Sequence, residues 1–188
     1  PRNPQTALKL GRLYAAQGQD ELAEKALEKC LRLSPQQVEA LQELVRLAMR
    51  AQRWNRALEL EERIIALRPS PLYREWARLG EIYLGLGSKE RAQSAFEKSL
   101  ELEPMGYIAS RNLAVMAARG GDTAEAIRRY RILIRHHPDS DPQLYLDLAY
   151  LYRQNRLERY AREVLRKGQR LFPADPRLEQ ALWSRPAS

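Results

Sequence analysis

Apolar residues recur along this chain at helical spacing, in short runs broken at regular intervals. Leu10, Leu13 and Tyr14 mark one face of a first segment, and Leu22, Ala23, Ala26, Leu27 and Cys30 mark one face of a second, with a break at Gly18 between them. Spacing of this kind predicts two short amphipathic helices joined by a tight turn. The pair then returns down the chain. Ala23, Ala57, Ala92, Ala126 and Ala161 stand 34, 35, 34 and 35 residues apart. Pro35, Pro69, Pro104, Pro138 and Pro173 keep the same spacings, as do Leu10, Leu44, Leu79, Leu113 and Leu148. Three residue types in one register define five repeated units.

Start and stop signals agree with that division. Ser34-Pro35, Ser70-Pro71, Asp141-Pro142 and Asp175-Pro176 each set a capping side chain before a proline, whose missing N–H costs a first helical turn nothing. Asp122 followed by Glu125 predicts a capping box at the start of an eighth helix. Gly18, Gly87 and Gly120-Gly121 are expected to close first helices in the left-handed conformation. The alanine ladder marks where paired helices approach closely, and Trp76, Tyr83, Phe96 and Tyr130 are expected to fill the layers between units. One hairpin cannot bury both of its faces, so stability must come from stacking on neighbours.

The pattern resembles the tetratricopeptide repeat (TPR) family. The third unit carries Trp76, Leu79, Gly80, Tyr83, Gly87, Ala92, Phe96 and Pro104 where the family's signature residues stand. The first keeps Leu10, Gly11, Tyr14, Gly18, Ala23 and Pro35, whereas Val45, Ala48 and Glu61 depart from the pattern in the second. The resemblance implies an all-α fold, a right-handed superhelical solenoid of five helix-turn-helix repeats at about 4–37, 38–72, 73–106, 107–141 and 142–175, forming one domain over 1–188. A segment from Pro176 to Ser184, with Leu178, Ala181, Leu182 and Trp183 on its apolar side, is expected to cap the last unit. With nothing before the first repeat, either its edge is expected to be bare or the chain is cut from a longer array, and the abrupt start at Pro1 favours an excised domain.

Composition narrows the function classes. Of 188 residues, 44% are hydrophobic and 30% charged, which suits a folded chain. No apolar stretch of about 18 residues occurs, so hydropathy predicts no membrane-spanning helix. Cys30 is the only cysteine, which rules out an internal disulfide and fits a reducing compartment. The net charge of +8, mostly from arginine, permits attraction to acidic proteins, nucleic acid or anionic lipid.

Catalytic machinery is not visible: the chain has no phosphate-binding glycine loop, zinc-protease helix motif or nucleophile elbow. His136 and His137 are adjacent on a helix end and point apart, which predicts capping or solvation rather than metal chelation. Cys30 shares its repeat position with Ile64, Ser99, Leu133 and Gly168, and reads as a packing residue. Carboxylates such as Glu61 and Glu62 are expected on solvent faces. Neither a cofactor nor a metal is expected, and the protein is read as a binding scaffold rather than an enzyme.

In the family this chain resembles, first helices line a concave surface that holds peptides. Carried over, that surface would contain Lys9, Arg12, Arg46, Arg50, Arg74, Arg78, Arg111, Arg119 and Arg153, opposed by Glu39, Glu43, Glu81 and Asp147. Leu8, Met49, Leu84, Ile108, Asn112, Val115, Leu146 and Tyr150 would interleave. A basic groove with apolar sites suits an acidic peptide or partner domain; an ordinary solvated helix face is the alternative. The chaperone-tail clamp of some family members needs lysines and asparagines where this chain has Leu8, Arg12 and Glu43, so a chaperone C-terminal tail is not expected as partner. A second basic cluster, from Arg128 through Arg135 and from Arg159 through Arg170, falls on later second helices. Solvated surface is its first reading, with anionic membrane or nucleic acid behind. Two further functions compete with a peptide scaffold: an accessory domain of a larger bacterial envelope or polysaccharide-assembly protein, and a nucleic-acid-binding helical repeat, which the acids in the groove disfavour.

Overall fold

The computed structural model describes residues 3–68 and 70–184, so Pro69 of the proline ladder lies outside the described residues. Eleven helices account for the regular structure of these residues: α1 (Pro4–Ala16), α2 (Asp20–Leu33), α3 (Val38–Arg50), α4 (Trp54–Ala66), α5 (Tyr73–Gly85), α6 (Lys89–Leu102), α7 (Tyr107–Arg119), α8 (Thr123–His136), α9 (Gln143–Gln154), α10 (Glu158–Leu171) and α11 (Pro176–Trp183). The first ten pair as five hairpins. They fall into two compact units, Pro1–Leu102 with three hairpins and Glu103–Ser188 with two hairpins and α11.

The small-residue ladder is the packing seam within each hairpin. Ala23, Ala57, Ala92, Ala126 and Ala161 are all fully buried. A short side chain there lets each second helix lie close against its first. In the third hairpin the approach is closest at Gly80, where an added Cβ would stand 2.5 Å from the Phe96 ring. Cys30, Ile64, Ser99, Leu133 and Gly168 are buried together as the repeat requires, and the Ser99 hydroxyl donates to the Tyr73 carbonyl at 2.8 Å. Phe96, Tyr130 and Tyr145 are core residues, while Trp76 and Tyr83 are half-buried beneath Lys98 and Arg91.

The turns inside the hairpins repeat one backbone device with two chemistries. Gly18, Gly87 and Gly121 have φ of 72°, 75° and 83°, while the equivalent positions of the second and fifth hairpins are Gln52 and Arg156 at 55° and 59°. The left-handed residue is demanded by the turn even where no glycine supplies it.

Several local expectations are corrected. Ser34 caps the end of α2 and Ser70 lies two residues before the N-cap of α5, Leu72, so neither serine opens a helix. Three turn residues separate Ser34 from Val38, because the chain must first reverse out of the preceding hairpin. Asp141 and Asp175 do cap, accepting from the Gln143 and Arg177 amides. Asp122 accepts from the Glu125 amide, but Glu125 does not return the bond; its carboxylate is taken by Arg128 and Arg129. Leu13 and Leu22 are exposed on the first hairpin. At the C-terminal side α11 packs on α10 and α9 through the fully buried Leu178, yet Trp183 is 78% exposed, since it lies about 140° around the helix from Leu178.

Candidate functional site

Glu43 organises the first-helix face of the leading unit. On α3 its carboxylate accepts from Arg12 Nε of α1 at 2.8 Å and is paired as well with Arg46, one turn further along α3. Glu43 is nearly buried, whereas Arg12 and Arg46 keep 50% and 63% of their side chains in solvent. Two guanidiniums thus share one carboxylate while both side chains stay half or more exposed. Lys9 is exposed nearby on α1, Met49 is half-buried on α3, and Arg50 reaches across to Asp20 of α2. Leu8, expected on this surface, is instead in the core at 4% exposure.

The next hairpin spends its arginine differently. Arg78 of α5 donates from Nε and Nη2 to the two oxygens of Glu61 on α4, at 2.6 and 2.9 Å. Glu61 is completely buried, which corrects its expected place on a solvent face. Its partner lies 17 residues onward, on the following hairpin, so no local pattern marks the pair. Burial pushes the Glu61 carboxyl above its ordinary value, while the Arg78 bonds pull it back. Glu75, also buried, accepts from the Leu72 amide and pairs with Arg68. Arg68 Nε stands 3.1 Å from that carboxylate without hydrogen-bond alignment. Arg74 is exposed over the Tyr73 ring. Arg74 and Arg78 therefore differ: the first is exposed, its Nε donating to the neighbouring Tyr73 hydroxyl, and the second holds α4 to α5.

In the second unit the first-helix face is more apolar. Ile108 and Tyr150 are exposed, the latter at 62%, with Asn112 and Val115 half-buried and Arg119 exposed. Asn112 donates back to the Ile108 carbonyl at 2.9 Å. Arg111 lies 3.7 Å from Asp141, its Nε buried without a hydrogen-bond acceptor. Asp147 accepts from Tyr130 and Gln143, so its charge is spent inside the hairpin stack. Arg153 is turned away from any ligand: it donates to Glu158 and to the Ala181 carbonyl, latching α11.

The residues with reactive side chains are occupied structurally. Burial, and then Glu39, push the Cys30 thiol up, which makes it a poor nucleophile. His137 caps α8, with Nε2 2.7 Å from the Met105 carbonyl and its ring edge-on to Tyr107. Among the described residues no group of three His, Cys, Asp or Glu side chains is placed to hold a metal, and no helix is long and apolar enough to cross a membrane.

The chain is similar to known proteins in sequence and in fold. The chain is 25% identical over 134 residues to lipopolysaccharide assembly protein B of Haemophilus influenzae, an alignment covering 69% of this chain but only 34% of that protein. It thus spans about a third of the length of that curated relative. Among solved structures it resembles MamA of Desulfovibrio magneticus, at 16% identity and a TM-score of 0.76, covering 92% of this chain and 96% of that one. A thermophilic TPR protein of Thermus thermophilus matches at 23% identity and 0.70 over 96% of this chain and all of that one. YrrB, described as a TPR protein with an unusual peptide-binding site, matches at 16% and 0.67, covering 96% and 92%. Tetratricopeptide repeat profiles match residues 4–47, 78–127 and 117–176. The chain therefore belongs to the tetratricopeptide repeat family, whose members serve as scaffolds that bind proteins or peptides.

Proposed function

We propose that this protein binds an acidic peptide or partner domain on its first-helix faces, with Arg12 and Arg46 as the principal anchors. The observation that carries this reading is the pair of half-exposed guanidiniums gathered on the single carboxylate of Glu43. Glu43 fixes their position without cancelling both charges, so an incoming carboxylate meets donors already oriented and little further side-chain freedom is lost on binding. Lys9 adds charge beside them and Met49 a small apolar contact. In the second unit Ile108, Val115 and Tyr150 offer apolar anchors, with Arg119 as the exposed cation.

The test is fluorescence polarisation with two peptide pools of equal length and apolar content, one rich in Glu and Asp and the other in Lys. The acidic pool should bind more tightly, and Arg12→Gln with Arg46→Gln should weaken it by about ten-fold or more, the loss expected for two charge-assisted contacts. Equal affinity for both pools, or no effect of the double substitution, overturns the reading.

A second reading places the chain inside a larger envelope-assembly protein. It is favoured by the likeness to lipopolysaccharide assembly protein B, of which this chain matches about a third. Deleting the encoding gene in the native host should then alter lipopolysaccharide abundance; an unchanged amount contradicts it.

A further inference from the structure

We infer that the outer face of the second unit, formed by α8 and α10, is a docking surface for an anionic lipid bilayer. α8 packs on α7 and α9, and α10 on α9 and α11, burying Ala126, Tyr130 and Leu133 on one and Ala161 and Leu165 on the other. The sides opposite these buried residues are exposed and carry the cations. Acids on the same helices absorb some of these: Glu125 takes Arg128 and Arg129, and Glu158, which also pairs with Arg153 of α9, takes Arg162. Arg131, Arg135, Arg159, Arg166, Lys167 and Arg170 remain, all exposed and with no ion pair or hydrogen bond among the described residues. Glu163 is the single unpaired carboxylate among them.

Six uncompensated cations on two neighbouring outer faces form a field that favours a polyanion. The flanking residues favour lipid over nucleic acid. Ile132 on α8 and Tyr160 and Leu171 on α10 are exposed beside the arginines, and Leu157 is exposed at the α10 N-cap. Aliphatic groups gain nothing from a phosphodiester backbone, but at a bilayer they enter the headgroup boundary while the guanidiniums hold the phosphates. Tyr160 already lies against Tyr152, with centroids 5.6 Å apart, which leaves one face fewer for stacking a base. This surface is separate from the first-helix faces, so membrane docking and peptide binding stand or fall independently.

The test is co-sedimentation of the full chain with phosphatidylcholine vesicles, with and without phosphatidylglycerol, at low and at raised salt. Binding is expected only to the phosphatidylglycerol vesicles and should fall as salt rises. Arg159→Ser, Arg166→Ser and Arg170→Ser together should weaken partitioning on the order of a hundred-fold, about five-fold for each cation removed from the surface. The matched triple change Lys25→Ser, Lys29→Ser and Arg32→Ser on α2 should leave it within about two-fold, since α2 sets four acids against those three cations. Leu171→Ser should weaken vesicle binding several-fold while leaving binding of a single-stranded oligonucleotide unchanged. Equal binding to neutral vesicles, equal loss in both triple variants, or an oligonucleotide that binds more tightly than the vesicles and ignores Leu171 would overturn the proposal.

Discussion

The outer helices of the two units are built on one apolar plan and carry opposite charge. In the first unit α2, α4 and α6 hold eight Lys and Arg against ten Asp and Glu; in the second, α8 and α10 hold nine against three. The buried alanine and the position of Cys30 recur in every hairpin of both. Packing therefore fixes which positions must be small or apolar and leaves the outward ones free to vary. Charge thus varies between the units while the seam stays constant.

The units also differ in where they place acids. The first buries Glu61 and Glu75 between hairpins, whereas the second keeps Glu125 and Glu158 at the surface, each paired with two arginines. Arg78→Ala should sharpen this contrast most, because it leaves Glu61 as an uncompensated buried charge at a cost of about 3–5 kcal/mol. Denaturant unfolding at neutral pH should show the loss, and hydrogen exchange should place it in α4 and α5. The defect should shrink in acid. The raised Glu61 carboxyl takes up its proton above the ordinary 4.5, so the cost of ionising it disappears as pH falls.

Next in size is Leu178→Ala, which removes the fully buried anchor of α11 and should cost about 3 kcal/mol. Its exchange signature should be confined to α9, α10 and α11; faster exchange in α1 to α6 would break the separation of the units. Smaller, and of opposite sign, are Gln52→Gly and Arg156→Gly. Each relieves a left-handed non-glycine and should raise stability by about 1 kcal/mol, one variant in each unit, as read by thermal unfolding.

Glu158→Gln should have the least effect, about 0.5 kcal/mol at neutral pH, because its pairs are partly exposed. Hydrogen bonds from Arg153, and then from Arg162, hold this carboxyl below its ordinary 4.5. Its contribution is thus complete above that value and lost as pH falls through the lower folded value, the reverse of Glu61. Wild type and variant should converge in acid; a gap that widens there contradicts the assignment.

Much of the hairpin architecture was legible in residue spacing, because the alanine ladder and turn glycines answer to constraints that recur every 34 or 35 residues. Gln52 and Arg156 were missed at two of those turns, since only the backbone and not the residue type repeats there. Ser34 ends α2 rather than opening α3, and Ser70 falls short of α5, whose N-cap is Leu72, because a serine before proline does not by itself fix where a helix starts. Glu61 was misplaced for a different reason: its neighbours Glu59 and Glu62 are exposed, and its partner belongs to another hairpin. At the candidate site, helix membership was readable but commitment was not. Whether an arginine faces a ligand, as Arg46 can, or is consumed in the fold, as Arg78 and Arg153 are, depends on contacts across hairpins.

Peptide recognition through guanidiniums organised by Glu43 is tested most directly by amide and side-chain NMR of the isotopically labelled chain, titrated with the Glu- and Asp-rich peptide pool. Saturable shifts should concentrate on α1 and α3, at Lys9, Arg12, Arg46 and Met49, with Arg12 and Arg46 Nε resonances moving most. Shifts restricted to α8 and α10, or none at peptide concentrations well above millimolar, would contradict it.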